Sequence, residues 1–189
     1  LKIKDGRDAS HILALEIGCG VGWHPIQYVL ENPNVLMIAI ERTREKYEKF
    51  VRRLVLHKDV DQRLAAVHSD AIHFLDQNLP NHCLDEVWLL YPNPELKHPK
   101  KRWFQSPFFP RLLQLTKPTA QIYFATNIES YAADCLEWAP RLGLAIIRYE
   151  TIQKNLHPNF QPRTHFEKKY LERGETIHNF VLGHEPLNL

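Results

Sequence analysis

Leu15-Glu16-Ile17-Gly18-Cys19-Gly20-Val21-Gly22 is the stretch that decides the fold. It stands between a short apolar run, His11–Ile17, and a helical pattern opening at Trp23, so it reads as a turn from a buried strand into a helix. Glycines at such a turn let the backbone bend sharply and keep side chains out of the space between loop and ligand. From this turn, strand and helix patterns alternate to the end of the chain. Strands are expected at Val35–Ile40, Leu64–His68, Leu84–Leu90, Ala120–Thr126, Ala145–Tyr149 and Ile177–Leu182. Helices are expected at Trp23–Glu31, Thr43–His57, Asp70–Gln77, Ser106–Leu115, Ser130–Arg141 and Phe166–Arg173. Tyr91–Arg102 is punctuated by Pro92, Pro94 and Pro99 and is read as a loop that no regular element occupies. The alternation predicts a doubly wound α/β architecture: a mostly parallel seven-stranded sheet with helices on both faces. The terminal strand is expected to be antiparallel, because only a loop and a short charged helix separate it from the strand before. With no repeat or linker, residues 1–189 are read as a single domain.

Composition supports a globular protein. Hydrophobic residues make up 44% and charged residues 24%, enough apolar surface to build a core. No apolar run approaches the length that crosses a bilayer, and no secretory signal is expected from the pattern of the first residues. Cys19, Cys83 and Cys135 are widely spaced and form no C-x-x-C pair. Neither a disulfide framework nor a metal site is expected, and a reducing cytoplasm is the expected location. The net charge of +2 does not announce a nucleic-acid binder; local clusters say more. Lys97, Lys100, Lys101 and Arg102 form an acid-free run, read as a phosphate contact. Between Arg42 and Arg53 the bases alternate with Glu45 and Glu48, the pattern of a solvated helix face. Arg163, Lys168, Lys169 and Arg173 form a third group.

Three acids end successive strands next to the glycine loop: Glu16, Glu41 and Asp70. A carboxylate at Glu41 is suited to accept both ribose hydroxyls of a nucleoside, and one at Asp70 an adenine amine. The glycine spacing is G-x-G-x-G. A dinucleotide fingerprint wants a small residue three places after the second glycine, where Trp23 stands and is expected to block close helix–strand packing, so NAD is disfavoured.

The set resembles the S-adenosylmethionine pocket of Rossmann-like class I methyltransferases. Three later segments are similar to those of the bacterial tRNA (guanine-N(7)-)-methyltransferases. Tyr91-Pro92-Asn93-Pro94 with the basic run to Trp103-Phe104 resembles that family's F-P-D-P-W loop and its basic trailer. Phe124-Ala125-Thr126-Asn127 resembles F-K-T-D, and Thr164-His165-Phe166-Glu167 matches T-x-F-E. The resemblance implies methyl transfer from S-adenosylmethionine to guanine N(7) of tRNA, by a monomer, a homodimer or a chain with a partner subunit. It carries Glu16, Gly18, Gly20, Gly22, Glu41, Arg42, Asp70, Ala71 and Asn93 over as cofactor-binding positions, with Asn93 also in the catalytic place. Lys97, Asn127, Thr164 and Glu167 are carried over as substrate-binding positions. Because the glycine loop begins at Gly18, the long basic amino-terminal extension usual in the family is expected to be missing.

Two positions depart: Asn93 and Asn127 stand where the family has aspartates. Guanine N(7) carries a free lone pair, so no base is needed, and positioning and electrostatics carry the catalysis. A site without both acids is expected to be short of negative charge and slow at N(7). The alternatives are a degenerate relative that binds cofactor or RNA without efficient catalysis, and a methyltransferase with a different substrate.

Overall fold

The computed structural model describes residues 11–60 and 62–185; residues 1–10, 186–189 and Asp61 of the expected single domain lie outside them. Seven strands form one sheet: β1 (Ile12–Ile17), β2 (Val35–Glu41), β3 (Leu64–His68), β4 (Leu84–Leu90), β5 (Thr116–Thr126), β6 (Leu144–Ile152) and β7 (Ile177–His184). Their spatial order is β3-β2-β1-β4-β5-β7-β6. The first five are mutually parallel, while β7 runs antiparallel to both β5 and β6 and is inserted between them. The helices are α1 (Trp23–Glu31), α2 (Arg44–Leu54), α3 (Ala71–Asn78), α4 (Phe109–Leu115), α5 (Glu129–Arg141) and α6 (His165–Glu172).

The strands alternate because both faces of the sheet are covered. Leu13, Leu15 and Ile17 of β1 join the core beneath α3, α4 and α5, with Val87, Leu89, Ile122 and Phe124. Ala14 points to the opposite layer, with Met37, Ala39 and Trp88, under Ile26 and Val29 of α1 and Phe50 of α2. The charged face of α2 is solvated as its sequence implies. Arg44–Glu48 at 3.0 Å and Lys49–Glu45 at 2.6 Å are exposed pairs one helical turn apart, the spacing at which opposite charges support a helix.

Several boundaries move. β5 begins at Thr116, before Pro118, because its pairing with β4 shifts register between Leu84↔Thr116 and Glu86↔Gln121. Pro118 lies within that irregularity, where no ladder hydrogen bond is demanded of it. Helix α4 starts at Phe109, with Pro110 in its first turn, where a missing N–H is tolerated. The expected loop Tyr91–Arg102 does contain regular structure, a 3-10 turn at Pro99–Lys101, and a second such turn at Trp103–Gln105 follows it. Among the described residues no helix is long and apolar enough to cross a membrane.

Candidate active site

The carboxyl ends of β1 to β4 open on a cavity of about 500 Å³, at the sheet edge where open α/β folds take ligands. Gly18, where the glycine loop begins, lies in one wall. Gly18, Gly20 and Gly22 have φ of +77°, +61° and +76°, in the left-handed region. A methyl group on Gly18 or Gly20 would meet nothing within 4 Å, whereas one on Gly22 would fall 1.9 Å from the Phe50 ring. The first two glycines therefore leave the space beside the loop bare, and the third lets α1 pack on α2. Trp23, 43% exposed, keeps its ring out from between α1 and the sheet, which corrects the expectation that it blocks helix–strand packing. Its ring faces outward, edge-on to His165 at 4.4 Å.

Glu41 is buried and rigidly held. Its Oε2 accepts the Gly20 N–H at 2.9 Å and its Oε1 the Thr43 N–H at 2.6 Å. Each carboxylate oxygen keeps a second lone pair, so a hydroxyl in the cavity still finds an acceptor. Asp70 caps α3, accepting the His73 N–H at 3.3 Å, and is otherwise exposed. Gly18, Glu41, Arg42, Asp70, Ala71 and Asn93, all expected from the sequence, line the cavity together. Glu16, Gly20 and Gly22 do not line it. The strand alternation that sends Ala14 towards α1 sends Glu16 the same way, and it is buried against His24 Nδ1 at 2.8 Å. An open cradle beside Gly18 and Gly20, with Glu41 and Asp70 as acceptors, fits the nucleoside end of S-adenosylmethionine.

The opposite wall is the proline loop. Tyr91 and Glu95, at φ of +52° and +44°, bracket Pro92-Asn93-Pro94 in a conformation that residues with side chains rarely adopt. Two buried ions hold it. Arg102, at 3% exposure, donates to the Pro94 carbonyl at 2.8 Å, the Ser130 carbonyl at 3.0 Å and Asp134 at 2.6 Å. It is a clamp, so the surface part of the basic run is Lys97, Lys100 and Lys101, all exposed. Glu167, at 0% exposure, accepts the Tyr91 hydroxyl at 2.8 Å and the Arg163 backbone N–H and guanidinium, each at 2.5 Å. Burial, reinforced by the Glu167 charge, pushes the Tyr91 hydroxyl far above its ordinary pKa, so it stays a donor. Burial works against the Arg163 guanidinium, but the Glu167 hydrogen bonds and charge outweigh it and raise its pKa. Thr164 accepts the Glu167 N–H at 3.0 Å. The Thr164–Glu167 motif is thus a capping box for α6 whose carboxylate reaches one residue further back than usual.

The loop also carries an acid that the motifs do not contain. Asn93 Nδ2 donates to Glu95 Oε1 at 2.8 Å, and both residues line the cavity. Asn127, outside the cavity lining, donates to Glu175 Oε2 at 2.6 Å. Each asparagine thus grips a glutamate.

A family model described as "Putative methyltransferase" matches residues 10–180. The tRNA (guanine-N(7)-)-methyltransferase of Caulobacter vibrioides (strain NA1000 / CB15N) is 32% identical over 164 residues, 84% of this chain and 68% of that protein. The chain belongs to the tRNA (guanine-N(7)-)-methyltransferase family. The enzyme of the same name from Verminephrobacter eiseniae (strain EF01-2) is 27% identical over 93% of this chain and 63% of its own. This chain therefore spans less than two thirds of one of these relatives and slightly more of the other. Among solved structures, precorrin-6y C5,15-methyltransferase from Geobacter metallireducens superposes with a TM-score of 0.63 at 16% identity, covering 95% of this chain and 82% of its own. A SAM-dependent methyltransferase from Thiobacillus denitrificans, in complex with S-adenosyl-L-homocysteine, gives 0.60 at 12% identity, covering 93% and 86%. Both support the fold.

Within the tRNA (guanine-N(7)-)-methyltransferase family pattern, some of the expected positions line the cavity and others do not. None of Lys97, Asn127, Thr164 and Glu167 lines the cavity; Lys97 is exposed and Glu167 is buried beneath it. Three acids, Glu41, Asp70 and Glu95, line the cavity together with three cations, Arg42, Lys46 and Lys101. Phe166 and Tyr170, two further lining residues, were not singled out. Phe166 stood inside the T-x-F-E match, and Glu95 stood where the family loop has its aromatic, a departure that replaces a ring by a charge.

Proposed function

We propose that the protein transfers a methyl group from S-adenosylmethionine to N(7) of a guanine in tRNA, in the cytoplasm. The observation that carries this reading is one cavity lined both by Gly18, Glu41 and Asp70 and by the Tyr91–Glu95 loop, in a chain of this family. Gly18 and Gly20 would admit the cofactor's backbone-facing side, Glu41 its ribose and Asp70 its adenine. The cofactor supplies a methyl group made electrophilic by a sulfonium centre.

The chain's own part is positioning and charge. Guanine N(7) attacks through a lone pair it already holds. The new N–C bond forms as the S–C bond breaks, the sulfur keeps that electron pair, and positive charge passes to the base. No proton has to leave, so no side chain is needed as a base. What the base requires is an acceptor for its N(1)–H and exocyclic amine and a negative charge near the developing cation. Glu95 meets both needs. Asn93, as an amide, donates a hydrogen bond that an ionised aspartate could not, and so holds the Glu95 carboxylate in place. A charged hydrogen bond contributes about 1.5–3 kcal/mol against about 1 for a neutral one. Lys97, Lys100 and Lys101 would meet phosphates.

The test is incubation with labelled S-adenosylmethionine and unmodified bulk tRNA, followed by mapping of the methylated base. Label on guanine N(7) is expected. Label on another base, or cofactor binding with no transfer to tRNA, would overturn the reading.

A further inference from the structure

A second cavity, of about 460 Å³, opens on the other side of α6. Phe166 and Tyr170 of that helix line the first cavity, and His165, Lys168, Leu171 and Glu172 line the second. Thr164, which the Glu167 capping box fixes in place, is also in its wall. Its remaining lining includes Trp23, Lys154, His157, Pro158 and Phe160.

Three features mark this cavity as more than a surface dent. Trp23 is the only exposed tryptophan among the described residues, at 43%. Its ring is held, edge-on to His165 at 4.4 Å and beneath the Arg53 guanidinium at 5.7 Å. Arg53 is itself fixed by a hydrogen bond to the Val21 carbonyl at 3.1 Å. Next, the surrounding charge is mostly positive: Lys154, Lys168 and Arg53 against the single acid Glu172. Lastly, burial and the nearby Arg53 and Lys168 charges lower the His165 pKa. Its imidazole is therefore neutral at pH 7, with one donor and one acceptor nitrogen. A rigid exposed aromatic ring, a neutral imidazole and a cationic rim are the parts that hold an unstacked nucleotide: stacking for the base, cations for the phosphate.

Resting on the function proposed above, we infer that this cavity is a second RNA subsite, holding an unpaired nucleotide that flanks the target guanine. Enzymes acting on structured RNA take bases out of the stack. The two cavities share α6 as a wall, so a strand whose guanine enters the first has a neighbour within reach of the second. The proposed ligand is a single-stranded ribonucleotide unit, stacked on Trp23 with its phosphate towards Lys154 and Lys168.

The test uses Trp23→Ala, Trp23→Phe and Lys154→Glu, with two readouts: binding of unmodified tRNA followed by tryptophan fluorescence and filter retention, and steady-state methylation. Trp23→Ala is expected to weaken tRNA binding and raise the KM for tRNA about tenfold or more, Trp23→Phe to recover most of the loss, and cofactor affinity to stay unchanged. Lys154→Glu, on an exposed side chain, is expected to weaken tRNA binding without touching the ring. If all three variants bind and methylate tRNA like the natural protein, the subsite is wrong and the function stands. If the natural protein leaves tRNA guanine unmethylated while Trp23→Ala and Lys154→Glu still weaken RNA binding, the function is wrong and the subsite stands.

Discussion

The two walls of the main cavity were built by different means. On the glycine-loop side, the candidate residues sit at strand ends that the parallel sheet fixes in register, with Ile17 beside Ile40 and Glu41 beside His68. Residue type and backbone position together put Gly18, Glu41 and Asp70 on the cavity. On the proline-loop side there is no sheet register to set the chain. The loop is held by Arg102 from one direction and the Arg163–Glu167 pair from the other. Charged residues that look like ligands in the sequence are braces there, and the acid on the cavity is Glu95. A motif says which residues belong together; the fold decides which of them line the cavity.

The two walls should differ most in stability, at the braces. Losing one member of a buried ion pair typically costs about 3–5 kcal/mol. Arg102→Ala and Glu167→Ala are each expected to lower stability by that order in denaturant titrations, while Lys100→Ala, two residues from Arg102 and exposed, changes it by less than about 0.5 kcal/mol. Equal, small effects for Arg102 and Lys100 would return Arg102 to the RNA-binding surface. The glycine-loop wall should respond in the opposite manner. Glu41→Ala is expected to weaken S-adenosylmethionine binding at least tenfold by calorimetry, about 1.4 kcal/mol. Undiminished binding would remove Glu41 from the cofactor site. The smallest effect belongs to the surface lysines. Replacing Lys100 and Lys101 together should reduce the salt dependence of tRNA binding by about one to two units in slope. An unchanged slope would show that these lysines meet no phosphates.

How far the sequence could be read follows the same division. Every expected strand and helix exists, because period-2 and helical patterns were sampled over whole elements; the errors lie at ends, where Pro110 and Pro118 are tolerated in places a pattern does not foresee. The antiparallel β7 was legible from its short connection, but its insertion between β5 and β6 was not, since strand order is set by long-range packing. Glu16 shows the limit at one residue: its place on β1 was right, and its side chain points away because the alternation puts it with Ala14. Glu95 shows the reverse. It breaks the family pattern, and its relation to Asn93 depends on a left-handed turn that sequence spacing does not reveal.

The most direct test of the central claim, that Glu95 supplies the negative charge to which Asn93 is fitted, is turnover on unmodified tRNA for Glu95→Gln and Asn93→Asp beside the natural protein. Glu95→Gln is expected to lower kcat ten- to hundredfold, the loss of one charged hydrogen bond of about 1.5–3 kcal/mol, with cofactor affinity unchanged. Asn93→Asp is expected to lower turnover as well, because it sets a second carboxylate against Glu95 across a contact of 2.8 Å. The contradicting result is the opposite pair: full activity in Glu95→Gln and a tenfold gain in Asn93→Asp.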